Sequence, residues 1–224
     1  MQEILTRPRA VHPAAQRMVG EQLAGRGISD ERVLAAMSTL PRHMFMPVPV
    51  RDQAYEDHAV PIGFEQTISQ PFIVGWMSEV LGLRGDERAL EVGTGSGYQA
   101  AVLGLLAREV YTIERHAVLA RRARWTLRAL GIENVHVFIG DGSVGLPAHA
   151  PFDSILVAAA APEVPDALVD QLAPGGRLVV PVGRGMAQAL RLIRRTDRGV
   201  SVTDVGGCVF VPLVGRAGFP PTPR

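Results

Sequence analysis

Residues 91–97 read EVGTGSG, and the reading of the whole chain turns on them. An apolar run, ALEVG at 89–93, leads into this segment, and a helical pattern, GYQAAVLGLLAR, leads out of it. Strand, glycine loop and helix in that order open a parallel α/β sheet, where glycines let backbone N–H groups approach a ligand. The spacing is G-x-G-x-G. A dinucleotide fingerprint would want its third glycine where Tyr98 stands, and an acidic residue, Glu91, precedes the loop. Both features point away from a pyrophosphate-bearing ligand. They fit S-adenosylmethionine, which has no pyrophosphate and carries an ammonium that a strand-end carboxylate can pair with. Glu91, Gly93, Thr94, Gly95, Ser96 and Gly97 are the first candidate cofactor residues.

Beyond the loop, strand and helix signals alternate. EVYTIE (109–114), a helix over HAVLARRARWTLRAL, VHVFIGD (135–141), FDSILVAAAA (152–161), a short helix over PDALVDQL and GRLVVPVG (176–183) follow in turn. Alternation of this kind implies right-handed crossovers and a parallel sheet. The strands are continuous apolar runs, as strands covered on both faces should be. QALRLIRR, a turn around DRG, and VSVTDVGGCVFVPLV read as a closing antiparallel pair. The expected fold is therefore α/β, a doubly wound, mixed, mostly parallel seven-stranded sheet.

The first third is helical by pattern. PAAQRMVGEQLAGRG places Pro13 at a first helical position and closes on glycines. A second helix is expected with Ser29 as its cap, an apolar stripe of Val33, Leu34, Met37 and Leu40, and Pro41 as its stop. From 41 to 62 the pattern breaks, and four prolines predict an irregular covering segment packed through Met44, Phe45 and Tyr55. A third helix runs from Pro71 to Gly82. The domain division expected is one unit over 1–215, with 1–82 as helices and active-site segment, 83–215 as cofactor-binding sheet, and a frayed Pro-rich tail over 216–224.

Composition narrows the function. Among 224 residues, 23 Lys and Arg balance 22 Asp and Glu, so an electrostatically driven polyanion binder is not suggested. A single cysteine, Cys208, excludes an internal disulfide, and MQEILTRPRA lacks the apolar core of a signal peptide, so the expected location is cytoplasmic. The six histidines show no ligand spacing, and no metal is expected. Arg121, Arg122, Arg124 and Arg128 read as the solvated side of a sheet-covering helix, and Trp76 and Trp125 as packing residues.

Glu114 closes the second strand, where a carboxylate can accept from ribose hydroxyls, and Asp141 closes the third, where it can accept from an adenine amino group. With the adjoining Arg115 and Gly142 they complete the cofactor candidates. Methyl transfer from a sulfonium is an in-line displacement that needs alignment and exclusion of water. After the fourth strand, Ala158 to Ala161 offer no side-chain acceptor for an amine substrate. An acceptor that is already an anion needs no base. A carboxylic acid of pKa about 4 is ionised roughly a thousand to one at neutral pH.

The segments PIGFEQTISQPFIV, LEVGTGSGYQAAVL, VYTIER, NVHVFIGDGSVGLP, APFDSILVAAAA, LAPGGRLVVPVG and VFVPLVG, in this order over about residues 29–215, resemble the protein-L-isoaspartate O-methyltransferase family. The resemblance implies a fold of the S-adenosylmethionine-dependent methyltransferase type. It implies methylation of the free α-carboxylate of L-isoaspartyl residues, which opens repair through a succinimide. The implied partners are damaged proteins or peptides, with no nucleic acid or membrane, and the chain is expected to be a monomer. By the same analogy Ser69 is the catalytic residue, Ile68, Ser69 and Val211 line the substrate groove, and Glu65, Gln66 and Thr67 touch the cofactor. Glu65 departs from the family, whose members tend to have glycine or an uncharged residue there. A methyltransferase for a small-molecule acid or nucleic acid, and a degenerate cofactor-binding module, are the alternatives.

Overall fold

The computed structural model describes residues 12–221. The chain enters through α1 (Pro13–Arg17), with Pro13 at the first helical position, and continues as a π-helical stretch, Met18–Leu23, and a 3-10 turn, Ala24–Arg26. The expected helix is thus present but underwound and then overwound before Gly27, at φ 97°, ends it. In α2 (Glu31–Thr39) the cap is Asp30 rather than Ser29, because the Asp30 carboxylate accepts from the amides of Arg32 and Val33. Ser29 is claimed elsewhere: its amide and hydroxyl both donate to Glu79.

The segment after Pro41 coils through two 3-10 turns, Arg42–Phe45 and Val48–Gln53, and buries Phe45 as expected. Its end is not irregular. Val60–Gly63 forms β1, which pairs antiparallel with β2 (Gln66–Ile68) in a small hairpin outside the main sheet. The helix α3 (Pro71–Leu81) then starts on its proline and stops at Gly82, φ 63°.

Five parallel strands follow: β3 (Arg88–Val92), β4 (Glu109–Glu114), β5 (Val135–Ile139), β6 (Phe152–Val157) and β7 (Leu172–Arg184). Two antiparallel ones, β8 (Ala187–Thr196) and β9 (Gly199–Cys208), complete the sheet. Their spatial order is β5-β4-β3-β6-β7-β8-β9. The helices between them are α4 (Tyr98–Leu106), α5 (Ala117–Ala129) and α6 (Asp166–Val169). Alternate residues serve opposite cores. Leu90 and Val92 pack with Ile155, Val157, Leu178 and Val180, while Ala89, Leu156 and Val179 join the larger cluster that contains Leu103 and Leu119. Each leucine so buried contributes about 1.5–3 kcal/mol, which is what holds helices against both faces. Among the described residues no helix is long and apolar enough to cross a membrane.

Strand order matters for function at one place. The chain steps outward from β3 to β5 and then returns to lay β6 against the other side of β3. At this switch point the loops leaving β3 and β6 diverge and leave a crevice at the strands' carboxyl ends.

Two expectations fail at the surface. Trp125 is 68% exposed instead of packed. The tail does not fray at once: the Gly215 amide donates to Phe219, and those of Arg216 and Ala217 donate to Asp141 and Ser143, strapping the segment over the end of β5. Residues 222–224 lie outside the described part.

Candidate active site

A cleft, open to solvent at its mouth, occupies the crevice. Its floor is the glycine loop. Gly93, Gly95 and Gly97 all have positive φ, at 97°, 51° and 86°. At Gly97 a Cβ would come within 2.9 Å of the Ala123 Cβ, so α5 can lie this close to the loop only because that side chain is missing. The loop is tied to β4 by the amides of Gly93 and Thr94, both donating to the Ile113 carbonyl.

Opposite stands the β1–β2 hairpin. Gln66, Thr67, Ile68 and Ser69 line the cleft, as do Gly93, Thr94, Gly95, Ser96, Glu114, Arg115, Gly142 and Val211. Twelve of the residues singled out from sequence therefore converge on one space. Glu114 accepts from the amides of Gly95, at 2.9 Å, and His116, at 2.8 Å, so its carboxylate is fixed beside the loop. Ala158 and Ala159 form the facing wall and bring no polar side-chain atom.

Four of the named residues lie outside the lining: Glu65, Glu91, Gly97 and Asp141. Gly97 acts through backbone geometry. Glu91 lies beneath the loop, fully buried, accepting a short hydrogen bond from the Thr112 hydroxyl. Thr112 in turn shares a 2.6 Å contact with the Thr94 hydroxyl, so the carboxyl props the loop through two threonines. Burial pushes the Glu91 carboxyl up to about 8. Asp141 is committed to structure: Oδ1 accepts from the Ser143 amide and hydroxyl, and Oδ2 from the Arg216 amide. Burial works against its ionised form, yet these hydrogen bonds hold its carboxyl below the usual range.

The donor set suits a nucleoside carrying a methionine part. Arg115 and Glu114 are the charged lining residues, so nothing resembles a cationic phosphate cradle, and a fixed carboxylate faces the space where ribose hydroxyls could donate. A profile of the protein-L-isoaspartate(D-aspartate) O-methyltransferase family matches residues 14–218. The chain belongs to that family. A protein-L-isoaspartate O-methyltransferase of Syntrophobacter fumaroxidans is 53% identical over 206 residues, 92% of this chain and 96% of that one. The one of Methanoregula boonei is 50% identical over 215 residues, 96% of this chain and 99% of the relative, so the likeness runs essentially end to end. Among solved structures, a protein-L-isoaspartate O-methyltransferase shares 30% identity with a TM-score of 0.81, over 91% of this chain and 67% of that one. Another, so described from Plasmodium falciparum and solved with S-adenosyl-L-homocysteine, shares 25% with a TM-score of 0.77, over 89% and 98%.

Glu65, which sequence reading set apart in this protein-L-isoaspartate O-methyltransferase family member, occupies a position that the backbone defines. Phe64 and Glu65 have φ 55° and 58° and form a two-residue hairpin turn with both residues left-handed. Glycine takes that conformation without the Cβ penalty of about 1–2 kcal/mol. Glu65→Gly should therefore raise stability by about 0.5–1 kcal/mol and leave S-adenosylhomocysteine affinity unchanged. Denaturant unfolding and calorimetry check this; a fall in affinity would return Glu65 to the cofactor site.

One residue escaped the sequence reading. Arg42 is completely buried; its Nε donates to the Ala54 carbonyl and its Nη2 to that of Ser69, each at 2.7 Å. Its guanidinium carbon lies 4.6 Å from the centre of the Tyr98 ring, and Nη1 and the Tyr98 hydroxyl are both buried without a hydrogen-bond partner. Burial lowers the guanidinium to about 10 and raises the phenol to about 12. An arginine between prolines reads as surface, and no local pattern announces that it will bridge three elements.

Proposed function

We infer that the protein transfers the methyl group of S-adenosylmethionine to the free α-carboxylate of L-isoaspartyl residues in damaged proteins and peptides. The observation that carries this is the chemistry of the cleft walls. Glu114 is engaged by two amides, the Tyr98 phenol is held protonated, and the alanine wall offers nothing. No lining side chain is placed to take a proton, so the acceptor must arrive ionised, as a carboxylate does.

When bound, S-adenosylmethionine supplies an electrophilic methyl carbon on a sulfonium. Glu114 would take the ribose, and Gly93, Thr94, Gly95 and Ser96 would offer backbone to the donor. Arg115, Gly142, Gln66 and Thr67 would close its sides. Glu91 would act from below by propping Thr94. Ser69 would receive the acceptor: its hydroxyl makes no bond to the protein among the described residues, and the N-terminus of α3, opened by Pro71, adds partial positive charge nearby. Ile68, itself buried, and Val211 would give that groove its apolar sides and keep water from the reacting oxygen. The charges cancel as carboxylate and sulfonium become ester and thioether. A dry setting favours that change.

Methyl-labelled cofactor and a matched pair of peptides, isoaspartyl and aspartyl, test the reading. A base-labile methyl ester on the isoaspartyl peptide alone is expected; equal labelling of both, or none, sinks it. Ser69→Ala should lower kcat/KM for the isoaspartyl peptide by about 10–100-fold with S-adenosylhomocysteine affinity unchanged. A loss confined to cofactor binding would move Ser69 out of the acceptor groove.

A further inference from the structure

A second concavity lies on the far side of the glycine loop, between the turn at residues 44–47 and α5, and none of the chemistry above uses it. It holds about 1020 Å³ counted out to its mouth. Phe45 and Leu119, both buried, form its floor, and Met44, Met46 and Ile62 its sides. Trp125 stands at the rim with 68% of its surface in solvent. Arg51, Arg121 and Arg122 complete the lining, which contains no acidic residue. Among the described residues none of the three arginines is in a salt bridge, and the side-chain bond made by Arg51 goes to the Met46 carbonyl.

We propose that this cleft is a binding site for a small amphipathic anion, an aromatic or aliphatic body carrying a carboxylate, sulfonate or phosphate. The floor supplies an apolar seat, and Trp125 a large flat face whose exposure is costly unless something covers it. Three cations that make no salt bridge among the described residues surround that seat and select the charge. An ordinary solvated helix face would pair its arginines with acids or keep its tryptophan inward; α5 does neither here.

The back wall is made by Gly95 and Ser96, which also line the first cleft. A ligand seated there touches the loop that holds Glu114 through the Gly95 amide. Occupancy of the two clefts is therefore coupled, and by linkage the coupling is reciprocal. This second statement rests on the cofactor reading given above, while the site itself does not.

The test uses 8-anilinonaphthalene-1-sulfonate as probe on the whole folded chain at low salt, with the uncharged N-phenyl-1-naphthylamine as control. Saturable one-to-one binding is expected, with energy transfer from tryptophan that falls sharply in Trp125→Phe, where Trp76 is the remaining donor. The double substitution Arg121→Gln, Arg122→Gln should weaken the sulfonate at least tenfold and the neutral control less than threefold. Met186→Ser, at an exposed apolar residue lining neither cleft, should change nothing. All these positions are exposed, so the variants keep the fold. Absence of saturable binding, or binding indifferent to Trp125 and the arginine pair, overturns the site. Saturating S-adenosylhomocysteine should shift the probe's affinity at least threefold. Probe binding without that shift overturns the coupling; failure of S-adenosylhomocysteine to bind at all would instead overturn the cofactor reading.

Discussion

Arg42→Met should cost about 2–4 kcal/mol of stability and raise KM for the isoaspartyl peptide well before it alters cofactor affinity. The side chain spans three parts of the fold: the segment ending at Ala54, the backbone of Ser69, and the ring of Tyr98 at the start of α4. Methionine fills much of the volume but leaves the carbonyls of Ala54 and Ser69 without their donor. Hydrogen bonds to a charged group contribute about 1.5–3 kcal/mol each. Part of that loss is offset, because an ion deprived of water no longer has to be buried. Arg42→Lys keeps the charge, yet its single nitrogen cannot stand in for both Nε and Nη2, so it should rescue stability only partly. Denaturant unfolding, peptide KM and calorimetric cofactor affinity separate the contributions. Equal losses in peptide and cofactor binding would mean that Arg42 merely supports the fold and does not position Ser69.

Glu91→Gln should stabilise the protein on the alkaline side and leave it unchanged in acid. The carboxyl titrates near 4.5 in the unfolded chain and near 8 in the folded one, because burial disfavours its charge. The folded state thus binds this proton more tightly. Stability from this group is intact below about 4.5, declines as pH rises, and is lost by about 8. At 1.36 kcal/mol per pH unit the full span is on the order of 5 kcal/mol. Glutamine mimics the protonated acid, can still accept from Thr112, and carries no such dependence. Unfolding free energies of the two proteins, compared from pH 4 to 9, should coincide at the acid end and diverge upward for the variant. Parallel curves would show that the Glu91 carboxyl titrates alike in the folded and unfolded chain, and that burial does not shift it.

Much of this site can be read in one dimension, because its parts are local. EVGTGSG announces its turn through glycines, EVYTIE ends on its carboxylate, and Pro71 and Gly82 bracket α3 as their backbone preferences require. What the sequence conceals is long-range. Nothing near Glu91 tells that its carboxyl will meet the buried Thr112 hydroxyl and not solvent. Asp141 reads as an open strand end until residue 216 is seen to return to it. Trp125 at a helical spacing reads as core, since whether anything packs over that face depends on the segment at 44–47. Arg42 is the strongest case, its partners being 12 and 27 residues away in an aperiodic stretch. Even Glu65 is explained by the turn between two strands too short to be predicted singly.

The strap formed by residues 215–219 has a practical meaning for anyone handling the protein. Gly215 fits where it does because a Cβ there would lie 2.0 Å from Asp141 Oδ1, and the amides that follow fill the acceptors at the end of β5, next to Gly142 in the cleft wall. The strap is thus an outer brace for the loop that carries Gly142, and it works from behind the cleft without entering its lining. A chain cut before Gly215 would leave Asp141 Oδ2 without the Arg216 amide and the Ser143 hydroxyl without that of Ala217, so a trimmed variant loses support for the cleft as well as a few surface residues.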